Sequence, residues 1–92
     1  MDKRDIIISK DFSVDDATEF REKVYQLINN GERYFVLDFS KCEFVDSTGL
    51  GVLVSIHKKC LELNGRLLLS KINKEVMRLF NLTRLDQVFE II

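Results

Sequence analysis

Proline is absent from this chain of 92 residues, and histidine and cysteine are scarce, with one and two residues respectively. A structural zinc site takes about four closely spaced ligands. Cys42 and Cys60 have no second cysteine pair, and the one histidine, His57, leaves the set short of four ligands. We therefore expect two reduced, buried thiols and no metal site, with a disulfide between them as the weaker alternative.

The chain also lacks an excess of charge and any long apolar run. Its 14 Lys and Arg residues balance 15 Asp and Glu residues, for a formal net charge of -1, and no basic stripe stands out. We expect no direct contact with nucleic acid. The apolar run at 6–8 is too short for a signal peptide, and no stretch approaches the ~18–20 apolar residues of a membrane span. The sequence therefore predicts a cytoplasmic protein of one domain, residues 1–92, without a membrane span.

Short apolar runs alternate with helical periodicities along the chain. The helical patterns begin at Ser13, Gly49 and Asn73, and the strand-like runs are 5–9, 33–39, 66–70 and 88–92. Ser13, with Asp16 three residues later, is a capping-box-like helix start. The alternation predicts an α/β fold with a largely parallel sheet of about four strands and covering helices.

The segment FVDSTGLGVL follows a buried strand and opens a helix, which is where parallel sheets place functional loops. It has no lysine for a phosphate-binding P-loop and no third glycine for a dinucleotide fingerprint. Val45 also stands where a nucleophile elbow needs its first glycine. The segment therefore matches none of these three enzyme motifs.

Other candidates for catalysis are equally poorly placed. His57 lies about ten residues beyond Ser47, or roughly 15 Å along a helix, which is too far to act as its base. We expect His57 to be a half-buried helix residue, and Asp38 and Asp46 to serve turns and caps. The sequence predicts no enzyme, no catalytic residue and no cofactor.

The start of this helix nevertheless suits regulation. Asp46, Ser47 or Thr48 could cap it, because each offers an oxygen to the free N–H groups of the first turn. The same N–H groups and the helix dipole favour an anion, so the fold would tolerate a phosphate of about -1.5 to -2 charge on Ser47. In an interface with a docked partner, however, the phosphate would lose its hydration and would repel negative charges of that partner. Gly49 and Gly51 would let a partner backbone approach closely.

Two segments, LDFSKCEFVDSTGLGVL and RLFNLTRLDQVFEI, resemble the STAS domains of bacterial anti-sigma factor antagonists. The family pattern is a Leu-Asp-aliphatic strand, an Asp-Ser-Ser/Thr-Gly-Leu loop, a helix with an Asn/Gly stop, a further strand and an Arg-Leu helix. The likeness covers roughly residues 6–92 and is most specific at 44–53. It implies that the chain is a single STAS domain.

The resemblance implies a phosphorylation switch. An unphosphorylated antagonist of this family binds an anti-sigma factor of the GHKL ATPase type and frees a sigma factor. That anti-sigma factor is also a serine kinase for the first hydroxyl residue after the motif aspartate, and a PP2C-type phosphatase reverses the reaction. The matching phosphorylation site here is Ser47, with Thr48 as the second choice. The partner-binding residues implied are Ser13, Asp46, Ser47, Thr48, Gly49, Leu50 and Gly51.

Two features depart from the family pattern. Ser13 stands where the family has an aspartate before the first helix, although a serine can still cap that helix. We find one strand before this helix where the family has two, so the first family strand is missing, as is the C-terminal helix. We expect an exposed sheet edge that a partner or a second copy of the chain covers. The alternative function is a non-switching scaffold STAS subunit of a lipid-transport or stressosome-like complex.

Overall fold

The computed structural model of the chain describes residues 3–92, which form a mixed α/β domain. Its elements are β1 (Arg4–Ile7), β2 (Asp11–Phe12), α1 (Val14–Asn29), β3 (Tyr34–Asp38), β4 (Phe44–Val45), α2 (Ser47–Glu62), β5 (Arg66–Ser70), α3 (Lys74–Leu82) and β6 (Glu90–Ile91). A 3₁₀ turn at Leu85–Gln87 lies between α3 and β6.

Four parallel strands form the main sheet, in the order β1-β3-β5-β6. Phe35 of β3 pairs with Arg4 of β1 and with Leu67 of β5, and Leu69 of β5 pairs with Ile91 of β6. Parallel neighbours require crossover connections, and α1, α2 and α3 each supply one. The predicted α/β class and the four main strands are confirmed.

Alternate strand residues point toward the helices and form a single apolar core. Phe35 and Leu37 of β3 are buried, whereas Val36 between them is only half-buried. This alternation is the period of two that a strand imposes on its side chains. Phe80 of α3 packs edge-on against Phe39, with ring centroids 6.0 Å apart. Fully burying a side chain of this size stabilises the fold by ~1.5–3 kcal/mol, so these contacts fix the helices on the sheet.

A second, two-stranded parallel sheet is present that the sequence did not predict. Asp11 of β2 pairs with Phe44 of β4, and Phe12 pairs with Val45. The prediction of a single strand before α1 is therefore wrong, because strands of two residues are too short to show a periodic pattern. Since β2 lies outside the main sheet, it leaves the outer side of β1 uncovered. Within residues 3–92, β1 pairs only with β3 and forms one edge of the main sheet.

The start of α1 also differs from the prediction. Ser13 occupies the N-cap position, and its backbone oxygen accepts the N–H of Ala17 at 2.7 Å, but its side chain makes no capping hydrogen bond. The predicted capping box at Ser13 and Asp16 is therefore wrong in its side-chain contacts. Asp15 and Asp16 instead favour this helix start through their charge, because they lie in the first turn.

The two cysteines and the histidine have the packing roles expected of them. Cys42 and Cys60 are free and buried, and burial raises the pKa of the Cys60 thiol to about 11. His57 is half-buried, with its ring edge-on to Phe89 at a centroid distance of 5.4 Å. Its buried Nδ1 has no hydrogen-bond partner within residues 3–92, and burial lowers the pKa of the imidazole.

Candidate functional site

Asp46 caps α2. Its side-chain Oδ1 accepts a hydrogen bond from the N–H of Gly49 at 2.7 Å, and its backbone oxygen accepts the N–H of Leu50 at 3.0 Å. Ser47 and Thr48, the first two residues of the helix, are exposed. Neither hydroxyl has a hydrogen-bond partner in the described part of the chain, so both are available to solvent or to another molecule.

The electrostatics of this helix start favour an anion. The first turn of α2 contains no acidic residue, and the helix dipole places about half a positive charge at this end. Asp46 takes up one of the free N–H groups, so a phosphate on Ser47 would share the remaining ones. The phosphate and the Asp46 carboxylate together would make this spot strongly negative for any molecule docked on it.

Gly49 is buried beneath this surface, where β2 passes close to α2. A Cβ at Gly49 would lie 2.3 Å from the backbone oxygen of Phe12 and 2.9 Å from Cγ1 of Val45. The prediction that Gly49 accommodates a partner's backbone is therefore wrong, because the backbone that it accommodates belongs to this chain. Gly51 is exposed, and a Cβ there would meet no atom within 4 Å.

The pairing of β2 with β4 brings the starts of α1 and α2 together. Phe12 and Val45 are partners in this small sheet, and the N–H of Asp46 donates to the backbone oxygen of Phe12 at 3.4 Å. Ser13 and Asp46 follow these partners directly and are the N-cap residues of the two helices. The structure therefore brings Ser13 beside the segment 46–48, although 33 positions of sequence separate the two caps.

Two exposed apolar side chains flank this site and were not identified from the sequence. Val14 is the first residue of α1 and is 55% exposed, while Phe44 of β4 is 54% exposed. In β4, the alternation of side chains turns Val45 inward and Phe44 outward. Recognising β4 as a strand would have revealed Phe44, but no sequence signal distinguishes Val14 from a buried helix residue. Leu50 is half-buried at the same helix end.

Asn73 connects the start of α3 to the loop before β4. Its Oδ1 accepts the N–H of Val76 at 2.9 Å, which confirms the predicted cap, and its Nδ2 donates to the backbone oxygen of Cys42 at 2.8 Å. One amide side chain thus caps a helix and holds a loop. The starts of all three helices consequently lie at the carboxyl end of the main sheet, as expected for a parallel fold.

Asp38, at the end of β3, has the predicted turn role. Its Oδ1 accepts the N–H of Ser40 at 2.8 Å, and Nζ of Lys71 lies 3.6 Å from its Oδ2. The Ser40 hydrogen bond in particular holds the pKa of this carboxyl below its ordinary value.

Within residues 3–92, no three His, Cys, Asp or Glu side chains are grouped as a metal site would require. None of the helices there combines the length and apolar character needed to cross a membrane.

Comparisons with known proteins identify relatives of this chain. An anti-sigma-B factor antagonist of Bacillus subtilis strain 168 is 34% identical over 86 residues, which cover 91% of this chain and 76% of that protein. A Thermotoga neapolitana protein, provisionally named as an anti-sigma factor antagonist, is 31% identical over 91 residues, covering 95% of this chain and 80% of the relative.

A solved structure of a relative has the same fold as this chain. The crystal structure of a Thermotoga maritima protein, also provisionally named as an anti-sigma factor antagonist, superposes with a TM-score of 0.86 at 31% identity. The superposition covers 95% of this chain and 77% of that one. The family model described as "STAS domain" matches residues 5–92. This chain therefore belongs to the STAS domain family.

Proposed function

We propose that this protein is an anti-sigma factor antagonist whose unphosphorylated form binds an anti-sigma factor and so releases a sigma factor. Phosphorylation of Ser47 switches that binding off. The observation that carries the proposal is that Asp46 caps α2, while the Ser47 hydroxyl is exposed and unbonded. A phosphate on Ser47 would break no hydrogen bond of the fold. Thr48 is also exposed and is the second choice.

The partner would dock on what we term the switch surface. It comprises the exposed or half-buried residues around the adjoining starts of α1 and α2, namely Ser13, Val14, Phe44, Asp46, Ser47, Thr48, Leu50 and Gly51. The apolar side chains would supply buried contact area in the complex, and Gly49 shapes the surface from beneath. A phosphate on Ser47 would be desolvated there and would face like charge, which costs several kcal/mol. A cost of ~4 kcal/mol weakens binding about a thousandfold.

The proposed partners are a GHKL-type anti-sigma factor with serine-kinase activity and a PP2C-type phosphatase that removes the phosphate. The names of the relatives support the anti-sigma factor as the class of partner. The likeness of residues 44–53 to the family motif supports the two regulatory enzymes. We place the complex in the cytoplasm, where sigma factors act on transcription.

Intact mass spectrometry tests the site assignment. After incubation with a GHKL-type anti-sigma kinase from the same organism and ATP, we expect one phosphate on the wild-type protein and on Thr48→Ala. Ser47→Ala should remain unmodified. Undiminished phosphate in Ser47→Ala would overturn the assignment to Ser47. A stable complex without any phosphate transfer would favour the scaffold function instead.

A phosphomimetic variant tests whether Ser47 serves partner binding rather than the stability of the fold. Ser47→Asp should weaken kinase binding with little change in melting temperature, because the start of α2 favours negative charge. Thermal melts and titration calorimetry on the same samples measure both quantities. A large loss of stability would show that Ser47 is chiefly structural.

A further inference from the structure

Within residues 3–92, one backbone edge of β1 pairs with no other strand. Ile8, directly after the strand, donates its N–H to the backbone oxygen of Asp38 at 2.8 Å, toward β3. Because the backbone groups of successive strand residues point to opposite sides, those of Asp5 and Ile7 point away from β3. No strand within residues 3–92 forms hydrogen bonds with these groups. An edge of this kind is a template for another strand.

A groove of about 320 Å³ lies beside this edge, between β1 and α1. It is lined by Ile7, Ser9, Phe12, Asp16, Glu19, Phe20 and Lys23. Phe12 and Phe20 pack edge-on at 5.3 Å, and Ile7 at the edge is 56% exposed. On the side formed by α1, Asp16 and Glu19 outnumber Lys23, so this side is net negative. The groove therefore suits a strand with apolar side chains and a basic residue.

We propose that this edge pairs with the β1 edge of a second copy of the chain, antiparallel about a two-fold axis. Asp5 of each copy would lie opposite Ile7 of the other, so that four backbone hydrogen bonds form. This register keeps the two Asp5 carboxylates apart, and like charges directly opposite would be destabilising. The two main sheets would join into one continuous sheet.

The charges of the chain itself favour a second copy as the occupant. Lys3 and Arg4 lie at the amino end of β1, whereas the acidic side of the groove lies beyond its carboxyl end. Antiparallel pairing places the basic end of one copy beside the acidic groove of the other. In the proposed register, Arg4 lies opposite Ile8 of the second copy, on the side that faces the helices.

Arg4 is already paired within its own chain, but this does not prevent it from contacting the acidic groove of the second copy. Its Nε donates to Oε1 of Glu32 at 2.5 Å, and half of the Arg4 side chain is exposed. Exposed ion pairs contribute little to stability, so the guanidinium can be shared with or transferred to the carboxylates of the groove at small cost.

Sedimentation velocity of the unphosphorylated chain at rising concentration tests the pairing. The wild-type protein should dimerise, and Ile7→Glu should raise the dimer dissociation constant at least about tenfold, because Asp5 of the other copy lies directly opposite residue 7 and two carboxylates would then face each other at both ends of the paired edge. The matched control is Leu82→Glu on α3, where the leucine is 76% exposed and outside the groove, and it should dimerise like wild type. A wild-type protein that stays monomeric up to about 1 mM, or an equal loss in both variants, would overturn the proposal.

A charge exchange tests the antiparallel arrangement. Arg4→Glu and Glu19→Lys should each weaken the dimer, and the double variant should recover most of the loss because the opposite charges meet again. A double variant weaker than both single variants would overturn this arrangement. Neither experiment uses the kinase or a phosphate, so a negative result in either one would leave the Ser47 proposal intact.

Discussion

Replacing Gly49 with alanine tests how closely β2 packs against the first turn of α2. The added Cβ would lie 2.3 Å from the backbone oxygen of Phe12 and 2.9 Å from Cγ1 of Val45. A side-chain rotation cannot relieve the first contact, because the oxygen belongs to the backbone of a paired strand. Val45 is itself buried, so β2 must move away from α2 to make room.

The expected cost follows from three contributions. Overpacking of a tight contact costs ~1–3 kcal/mol. Displacing β2 also weakens the bond from the Asp46 N–H to the Phe12 oxygen, and such a bond contributes ~0.5–1.5 kcal/mol. The better helix propensity of alanine offsets about 1 kcal/mol. We expect Gly49→Ala to lower the free energy of unfolding by ~0.5–3.5 kcal/mol, with ~4–8 °C of melting temperature lost per kcal/mol.

Gly51→Ala is the matched control, two residues further along the same helix. Gly51 is exposed, and an added Cβ would meet nothing within 4 Å, so this variant should gain up to about 1 kcal/mol from helix propensity. Urea titrations and thermal melts followed by circular dichroism measure both variants. If Gly49→Ala were as stable as Gly51→Ala, the close approach of β2 to α2 would be refuted.

Two further predictions concern the cap and the histidine. Asp46→Ala should lower the free energy of unfolding by ~0.5–2 kcal/mol, since the N–H of Gly49 loses its acceptor, whereas Ser47→Ala should change it little. Equal losses in the two urea titrations would show that Asp46 is not the main cap. Burial lowers the pKa of His57 below its ordinary value of 6.5, so the unfolded chain binds more protons and stability falls as the pH drops through that value. His57→Gln should flatten this fall between about pH 7.5 and about pH 5.5, and thermal melts that show the same slope for both proteins would contradict the assignment.

The main sheet could be predicted from the sequence because each of its strands lies in a short apolar run bounded by polar residues. The cap of α3 was also predictable, since Asn73 stands directly before a helical pattern and needs no distant partner. The small sheet of β2 and β4 was not, because strands of two residues carry no period. Ser13 has a side chain that often caps helices, yet here its hydroxyl makes no such bond.

The candidate site was predictable in its chemistry but not in its division of roles. The motif singled out Asp46, Ser47 and Thr48, and all three side chains are chemically able to cap a helix. Only the structure shows that Asp46 does so. Gly49 was misinterpreted for the same reason, because the backbone of Phe12 that comes close to it lies 37 positions earlier in the sequence. A local sequence pattern does not reveal contacts between segments that are distant in the sequence.

The most direct test of the central claim compares the affinity of the phosphorylated and unphosphorylated chains for the proposed anti-sigma kinase. Titration calorimetry with protein phosphorylated at Ser47, with unmodified protein and with Ser47→Ala gives the three dissociation constants. The phosphorylated form should bind at least about a hundredfold more weakly, or ~2.7 kcal/mol, while Ser47→Ala binds like the unmodified chain. Equal affinity of the phosphorylated and unmodified forms would contradict a switch at Ser47.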